Sequence, residues 1–171
     1  TLDAANLHRE LHFLKEKKIN HLAIEASSHA LHQHRIDKVK IKFAVFTNLS
    51  RDHIDYHKNT SNYFLSKLRL FKYILKTNGL AIINTDNKYG QRLKQICKKN
   101  KTRTLTYGFN NYCDWQILEI KKETSKTVVK FKETKRTYSF KCQLTANFEI
   151  ENLICSILIA KLNGLSFTKI F

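Results

Sequence analysis

Two short polar segments hold the residues best suited to chemistry, and each follows an apolar run. The first, EASSHALHQHR at 25–35, offers Glu25, Ser27, Ser28, His29, His32, Gln33, His34 and Arg35. The second, SRDHIDYH at 50–57, offers Arg51, Asp52, His53, Asp55 and His57. Carboxylates and imidazoles grouped in this way can hold a divalent metal. They can equally form ordinary polar loops in which Ser or Asp caps the following helix. His53 and His57, four apart, have the spacing of a helical zinc pair, but no H-E-x-x-H motif accompanies them.

A third candidate lies just downstream. With Ser61 to Lys76 on a helix of about 100° per residue, Tyr63, Phe64, Leu68, Leu70, Phe71, Ile74 and Leu75 share one arc, and Lys67 falls inside it. Arg69, Lys72 and Lys76 project to the opposite, solvated side, which Leu65 interrupts. A buried ammonium must find a partner or become neutral, and a neutral lysine is a nucleophile. The alternative is a side chain that lies along the apolar arc and lifts its amine to the edge of the helix.

The elements that would position these residues alternate. The pattern predicts a helix over 4–17, a strand at HLAIE (21–25), and a strand at KFAVFTNL ending at Leu49. A helix over 61–76, a strand at GLAIINTD (79–86), a helix near 88–99 and a strand at TRTLTYG (102–108) follow. Such alternation favours an α/β fold, a mostly parallel sheet flanked by helices. Ligands of open α/β sheets bind outside the carboxyl ends of the strands, so the two polar segments would face one crevice. DWQILEIKKE, KTVVKFKE and RTYSFKCQL then alternate with a period near two, predicting a small antiparallel insertion over about 110–143. A closing helix runs through EIENLICSILIAKLNGL, with Gly164 as its stop.

The chain has 171 residues, enough for one ordinary domain with its own core, and a formal charge of +17. Its lysines are scattered, and the abundance of Lys, Asn and Ile is also what A/T-rich codons produce, so the charge does not by itself indicate nucleic acid. Cys97, Cys113, Cys142 and Cys155 form no C-x-x-C pair, which suggests neither a zinc site nor a disulfide framework and fits a reducing cytosol. No apolar run approaches the roughly 20 residues of a membrane span, and no secretory leader is present. The chain begins at Thr1 and lacks Met and Pro, which reads as an excised piece or as a biased genome.

The order EASSHALHQHR, AVFTNLSRDHIDYH, YFLSKLRLF resembles the central ATPase domain of the Mur ligases. The likeness is greatest to those that add the third peptide residue, diaminopimelate or lysine, to UDP-N-acetylmuramoyl-L-alanyl-D-glutamate in the cytoplasm. It extends from Thr1 to about Leu165 and is weak through the hairpins. The resemblance implies a P-loop-type central domain whose first strand and phosphate loop lie upstream of Thr1. The uridine-nucleotide domain before it and the amino-acid-binding domain after it would be absent, leaving 1–171 as one partial domain. It implies Glu25 and His53 as magnesium ligands, with Lys67 a third as an N6-carboxylate formed with carbon dioxide. Thr1, Ser27, Gln33 and Arg35 match positions that hold the muramoyl-dipeptide. The implied reaction uses ATP to form an acyl phosphate from which an incoming amino acid displaces phosphate. Oligomeric state is not implied, and neither nucleic acid nor membrane is an expected partner.

The departures are specific. The glycines are Gly79, Gly90, Gly108 and Gly164, so no phosphate loop is present, and the piece alone is not expected to hydrolyse ATP. LTANFEIEN resembles the adenine-side motif G-x-F-N-x-x-N, but Ala146 replaces its Gly and Glu149 its first Asn, leaving Asn152 as the nucleotide-side candidate. Three alternatives stand beside the main reading: a folylpolyglutamate- or cyanophycin-type ligase, a basic nucleic-acid-binding module, and an inactive remnant.

Overall fold

Apolar residues recurring every three to four positions become helices here wherever a polar side chain can close the first turn. The computed structural model describes residues 1–49 and 54–171, with the Ile54 side chain outside that set. Helix α1, Ala4–Glu16, starts where the Asp3 carboxylate accepts from the Asn6 amide at 2.9 Å. α2, Ser28–His32, is capped by Ser27 and α4, Thr60–Arg69, by Asn59. Between them lie strand β1, Ile41–Phe46, and the one-turn α3, Ile54–His57. α5, Lys88–Lys99, takes two amides on the Asn87 side chain.

One six-stranded sheet has the order β1-β2-β3-β4-β5-β6. β2 (Leu75–Asn84), β3 (Thr104–Gly108) and β4 (Trp115–Lys122) are joined in parallel. β5 (Thr127–Glu133) and β6 (Arg136–Cys142) continue the same sheet as antiparallel hairpins. The period-two reading holds: Thr127, Val129 and Phe131 are buried while Lys130 and Lys132 between them are exposed. α6, Asn147–Leu162, and the short α7, Phe167–Ile170, complete the chain, and Gly164 follows α6 at φ +91° as the sequence predicts.

Two expectations are corrected. HLAIE at 21–25 forms no strand: His21, Leu22 and Ala23 are exposed, and an apolar run becomes a strand only when a neighbour completes its hydrogen-bond ladder. The helix expected to reach Lys76 ends at Arg69, continues as one π-helical turn, Leu70–Ile74, and passes directly into β2. The first residues of β2, LKTNG, are mostly polar and do not alternate, so the pattern could not show where the helical period gave way to the strand.

By contact density the chain divides into two compact units. The first comprises 1–44 and 49–79; the second comprises 45–48 and 80–171. The first buries Leu7, Leu31, Ile36, Tyr63, Phe64 and Phe71. The second packs Ile82 and Ile83 of β2, Leu93 of α5, and Ile150, Ile154 and Leu158 of α6, all fully buried. At its far end Phe167 and Phe171, on and just after α7, stack on each other and reach Phe131, Tyr138 and Phe140 of the hairpins.

α5 approaches β2 so closely that a side chain at Gly90 would overlap the backbone carbonyl of Asn84. Gly90→Ala must therefore displace the helix from the strand end and is expected to destabilise by about 1–3 kcal/mol. An unchanged denaturant midpoint for this variant would contradict the packing.

Candidate active site

Fourteen residues separate the two polar segments, yet they meet in the first unit. Tyr56 of the second segment lies against the first: its hydroxyl is 3.0 Å from His32 Nδ1 and accepts from Gln33 Nε2 at 3.0 Å. Its ring tilts against His29 with centroids 4.0 Å apart. The next residue, His57, is 4% exposed, and its Nε2 lies 2.9 Å from Ser28 Oγ. Its Nδ1 faces Ser66 Oγ at 3.5 Å, and that hydroxyl donates to the Asn62 carbonyl at 2.9 Å. The imidazole thus stands between the hydroxyls of Ser28 and Ser66. The ring also stacks on Tyr63, 10° from parallel.

Lys67 is next to this stack. Its ammonium sits over the Tyr63 ring, 5.2 Å from the centroid, and the residue is half-buried. The neighbours that the arc predicts, Tyr63, Phe64, Leu70, Phe71 and Ile74, are buried. The sequence reading thus finds the right face, and the lysine lies along it rather than fully inside it.

Thr1, Ser27 and Arg35 are brought together around the backbone of Glu25. The Thr1 hydroxyl donates to the Glu25 carbonyl at 2.6 Å and accepts from the Ser27 amide at 3.3 Å. Arg35 Nη1 donates to the Thr1 carbonyl at 3.2 Å. Ser27 also serves the capping role foreseen as the plain alternative, accepting from the Ala30 amide at 3.2 Å. Gln33 lies apart from this group, on Tyr56. Glu25 and Asp55 are exposed. His53, with Asp52 and Arg51, lies outside the described residues. Among the described residues no group of three or more His, Cys, Asp or Glu has the arrangement of a metal site.

Arg69 is a further correction. It was expected on the solvated side of α4, but its side chain is only 22% exposed. Nε donates to the Leu31 carbonyl at 2.9 Å, and Nη2 reaches both Asp37 oxygens at 3.1 Å. Its partners are 32 and 38 residues upstream, so helical periodicity had no means of revealing them. Tyr56 and His57 were likewise underrated, although an aromatic with a polar tip beside a histidine, inside a polar run, is a usable signal.

In the second unit, polar groups gather where β2 and β3 end. Asn84, 1% exposed, donates to Glu151 on α6 at 2.8 Å, and the Asp86 carboxylate accepts from the backbone amides of Phe109 and Asn110. Burial, then the nearby charge of Asp86, raises the Glu151 carboxyl above its usual range against the Asn84 hydrogen bond. Burial also pushes the Cys155 thiol up to about 12. The adenine-side departures have local explanations. Ala146 has φ −84°, a conformation that needs no glycine, and Glu149 turns back to accept from the Ala146 amide at 3.1 Å, closing the first turn of α6. Asn152 is exposed on the same helix.

A sheet that is parallel through β2, β3 and β4 and antiparallel through β5 and β6 has the architecture of a Mur ligase central domain. The family model for the Mur ligase middle domain matches residues 1–160, and the chain belongs to that family. It is 33% identical over 170 residues to the UDP-N-acetylmuramoyl-L-alanyl-D-glutamate--2,6-diaminopimelate ligase of Rickettsia montanensis, covering 99% of this chain and 35% of that protein. The ligase of the same name from Rickettsia typhi is 34% identical, with 99% and 34% covered. A solved structure of a ligase of that name superposes with a TM-score of 0.86 at 30% identity, over 97% of this chain and 34% of the other. The chain therefore spans about a third of the length of these relatives.

Two measurements test this geometry. His57→Ala leaves the buried Ser28 and Ser66 hydroxyls short of a partner and removes the stack on Tyr63, so a loss of about 2–4 kcal/mol is expected in a urea titration. An unaltered midpoint would show that the imidazole does not bridge the helices. For Asp37, burial acts to raise the carboxyl, but hydrogen bonds from His34 and Arg69 outweigh it and hold it below its ordinary 3.8. A depressed folded value contributes stability that is fully present above 3.8 and is lost as pH falls through the folded value. The groups facing Asp37 are His34, Arg69 and, on its backbone carbonyl, His8 of α1. The melting-temperature gap between wild type and Asp37→Asn is therefore expected at pH 6 and should close as pH falls below 3.8 through the folded value. A gap that widens on acidification would reverse the assignment.

Proposed function

We propose that this chain works as the central domain of a cytoplasmic ligase that adds diaminopimelate to UDP-N-acetylmuramoyl-L-alanyl-D-glutamate in peptidoglycan synthesis. The observation that carries the reading is the meeting of the two polar segments through Tyr56 and His57, with Thr1, Ser27 and Arg35 gathered at positions that match the family's substrate motif. Diaminopimelate is the amino acid in the relatives' names.

In this reading Arg35 meets a carboxylate or phosphate of the muramoyl-dipeptide with charge-assisted hydrogen bonds, and Thr1, Ser27 and Gln33 supply neutral ones. Glu25, His53 and Lys67 would hold magnesium, which neutralises charge developing on the phosphoryl oxygens. The donor set fits a hard cation in its oxygens: Glu25 presents an exposed carboxylate, and Lys67 becomes an oxygen donor once its amine carries a carboxylate. In that modification the nitrogen lone pair attacks the carbon of carbon dioxide, a C–O electron pair moves to oxygen, and the nitrogen gives a proton to water. The half-buried apolar setting of Lys67 supports it, since less water is available to stabilise the competing ammonium.

The reacting carboxylate of the muramoyl-dipeptide then attacks the terminal phosphorus of ATP, and ADP leaves. The amine of diaminopimelate attacks the acyl carbon, the bond from that carbon to the bridging oxygen breaks with its electron pair leaving on phosphate, and the amine nitrogen gives up a proton to water. Asn152 on α6 is assigned to the nucleotide side.

The test is ATP-dependent ligation by the complete product of the gene. Lys67→Ala is expected to lower kcat/KM by about 100-fold or more, and removal of dissolved carbon dioxide to weaken the wild type. A folded wild-type protein that joins neither diaminopimelate nor lysine to the muramoyl-dipeptide would refute the assignment. Indifference to both Lys67→Ala and carbon dioxide would remove Lys67 from the site.

A further inference from the structure

We propose that Arg69 is a positioning residue that clamps the loop bearing Gln33 and Arg35 to the helix bearing Lys67, and so sets the affinity for the muramoyl-dipeptide. The inference rests on the substrate-binding role of Arg35 proposed above. Its own foundation is the geometry of one guanidinium.

Arg69 follows Lys67 by two positions on α4, so the two side chains leave the helix in different directions. Lys67 turns to Tyr63, whereas Arg69 crosses to the end of α2 and the loop after it. Nε donates to the Leu31 carbonyl, in the last turn of α2, where carbonyls lack helical partners and favour a cation. Nη2 donates toward both oxygens of Asp37 at 3.1 Å and lies 2.8 Å from His34 Nδ1. The contacted residues thus bracket the candidate substrate ligands, with Leu31 before Gln33, His34 between Gln33 and Arg35, and Asp37 after Arg35.

The loop has reason to need such a clamp. His34 at φ 60° and Lys38 at φ 69° both adopt left-handed backbone that favours glycine, and such conformations persist where surrounding contacts over-determine them. Local backbone bonds from Arg35 to Ala30 and from Asp37 to His34 shape the loop but do not tie it to another element. The contacts from Arg69 do, and they tie it to the helix of the proposed metal lysine. Lysine at this position would keep the charge but could not reach three acceptors in one plane. Beside the bonds of Gln33 to Tyr56, Arg35 to Thr1 and the Asp37 carbonyl to His8, Arg69 supplies the described side-chain tie from this loop to α4, which matters because Arg35 is assigned to the substrate and Lys67 to the metal.

A role limited to folding would lower the fraction of active protein and reduce kcat, leaving KM alone. A positioning role raises KM for the muramoyl-dipeptide and spares KM for ATP. In the complete gene product, with ATP and amino acid saturating, Arg69→Ala is expected to raise that KM about 10-fold while kcat changes less than about threefold. Arg69→Lys should recover less than half of the loss on a logarithmic scale, and Asp37→Asn should raise KM in the same direction by a smaller factor. Arg35→Ala is measured alongside. If Arg35→Ala leaves KM unchanged, the substrate-loop reading itself falls. If Arg35→Ala raises KM while folded Arg69→Lys and Asp37→Asn both keep the wild-type value, the clamp is overturned, and these two variants decide the matter even where Arg69→Ala fails to fold. Amide hydrogen exchange over His34–Lys38 supplies a second readout: faster exchange confined to that loop in Arg69→Lys is expected, and unchanged exchange counts against the clamp.

Discussion

A buried imidazole held between two serines is the interaction on which the first unit depends. Helices α2 and α4 are too short to be stable alone, since isolated helices of fewer than about 12 residues are marginal in water. His57 gives each of them a buried polar partner, Ser28 on one and Ser66 on the other, while its ring face covers Tyr63. A buried histidine needs hydrogen-bond partners for its ring nitrogens, and hydroxyls suit that need because each can donate or accept as required. With that node fixed, Tyr56 just before it and Lys67 one residue after Ser66 acquire defined positions. The chemistry proposed for the unit is therefore built on a residue that does none of it.

Much of this was legible in the sequence, and what was not shares a physical cause. Periodicity found α1, α5, α6 and the hairpins because each buries one face against a neighbour, and burial imprints a period on the residues. It also placed Lys67 among apolar neighbours. Pairing partners leave no such imprint. HLAIE has the composition of a strand but no ladder, and LKTNG, which opens β2 after the junction at Leu75, has no alternation of apolar and polar residues to mark a strand. Arg69 could not be distinguished from a solvated arginine because its acceptors are a backbone carbonyl and an aspartate in a distant loop. The family motif reached the substrate and metal candidates but is silent about the residues that hold them in place.

The basic charge can be set against the fold. On β5 the lysines occupy the alternate positions that the pleat turns away from Val129 and Phe131, and Lys130 pairs with Glu119 across the strand pair at 2.8 Å. Such exposed pairs contribute little to stability, and they show lysine used as a solvated strand residue. On this strand the basic charge is carried by residues at solvated positions.

The adenine-side departures bear on function in a similar way. A glycine in the motif is required only where the backbone enters the left-handed region or approaches a ligand, and Ala146 at φ −84° does not meet the first condition. Glu149 stands where the motif has an asparagine, and its carboxylate is turned back on the Ala146 amide. That amide is one of the unpartnered donors at the start of any helix, so the substitution stabilises α6 locally while removing an amide side chain from the nucleotide side. A carboxylate near polyphosphate is unfavourable unless it is occupied elsewhere, and here it is. The altered motif thus keeps an ordered first turn of α6, with Asn152 exposed one turn further along the helix.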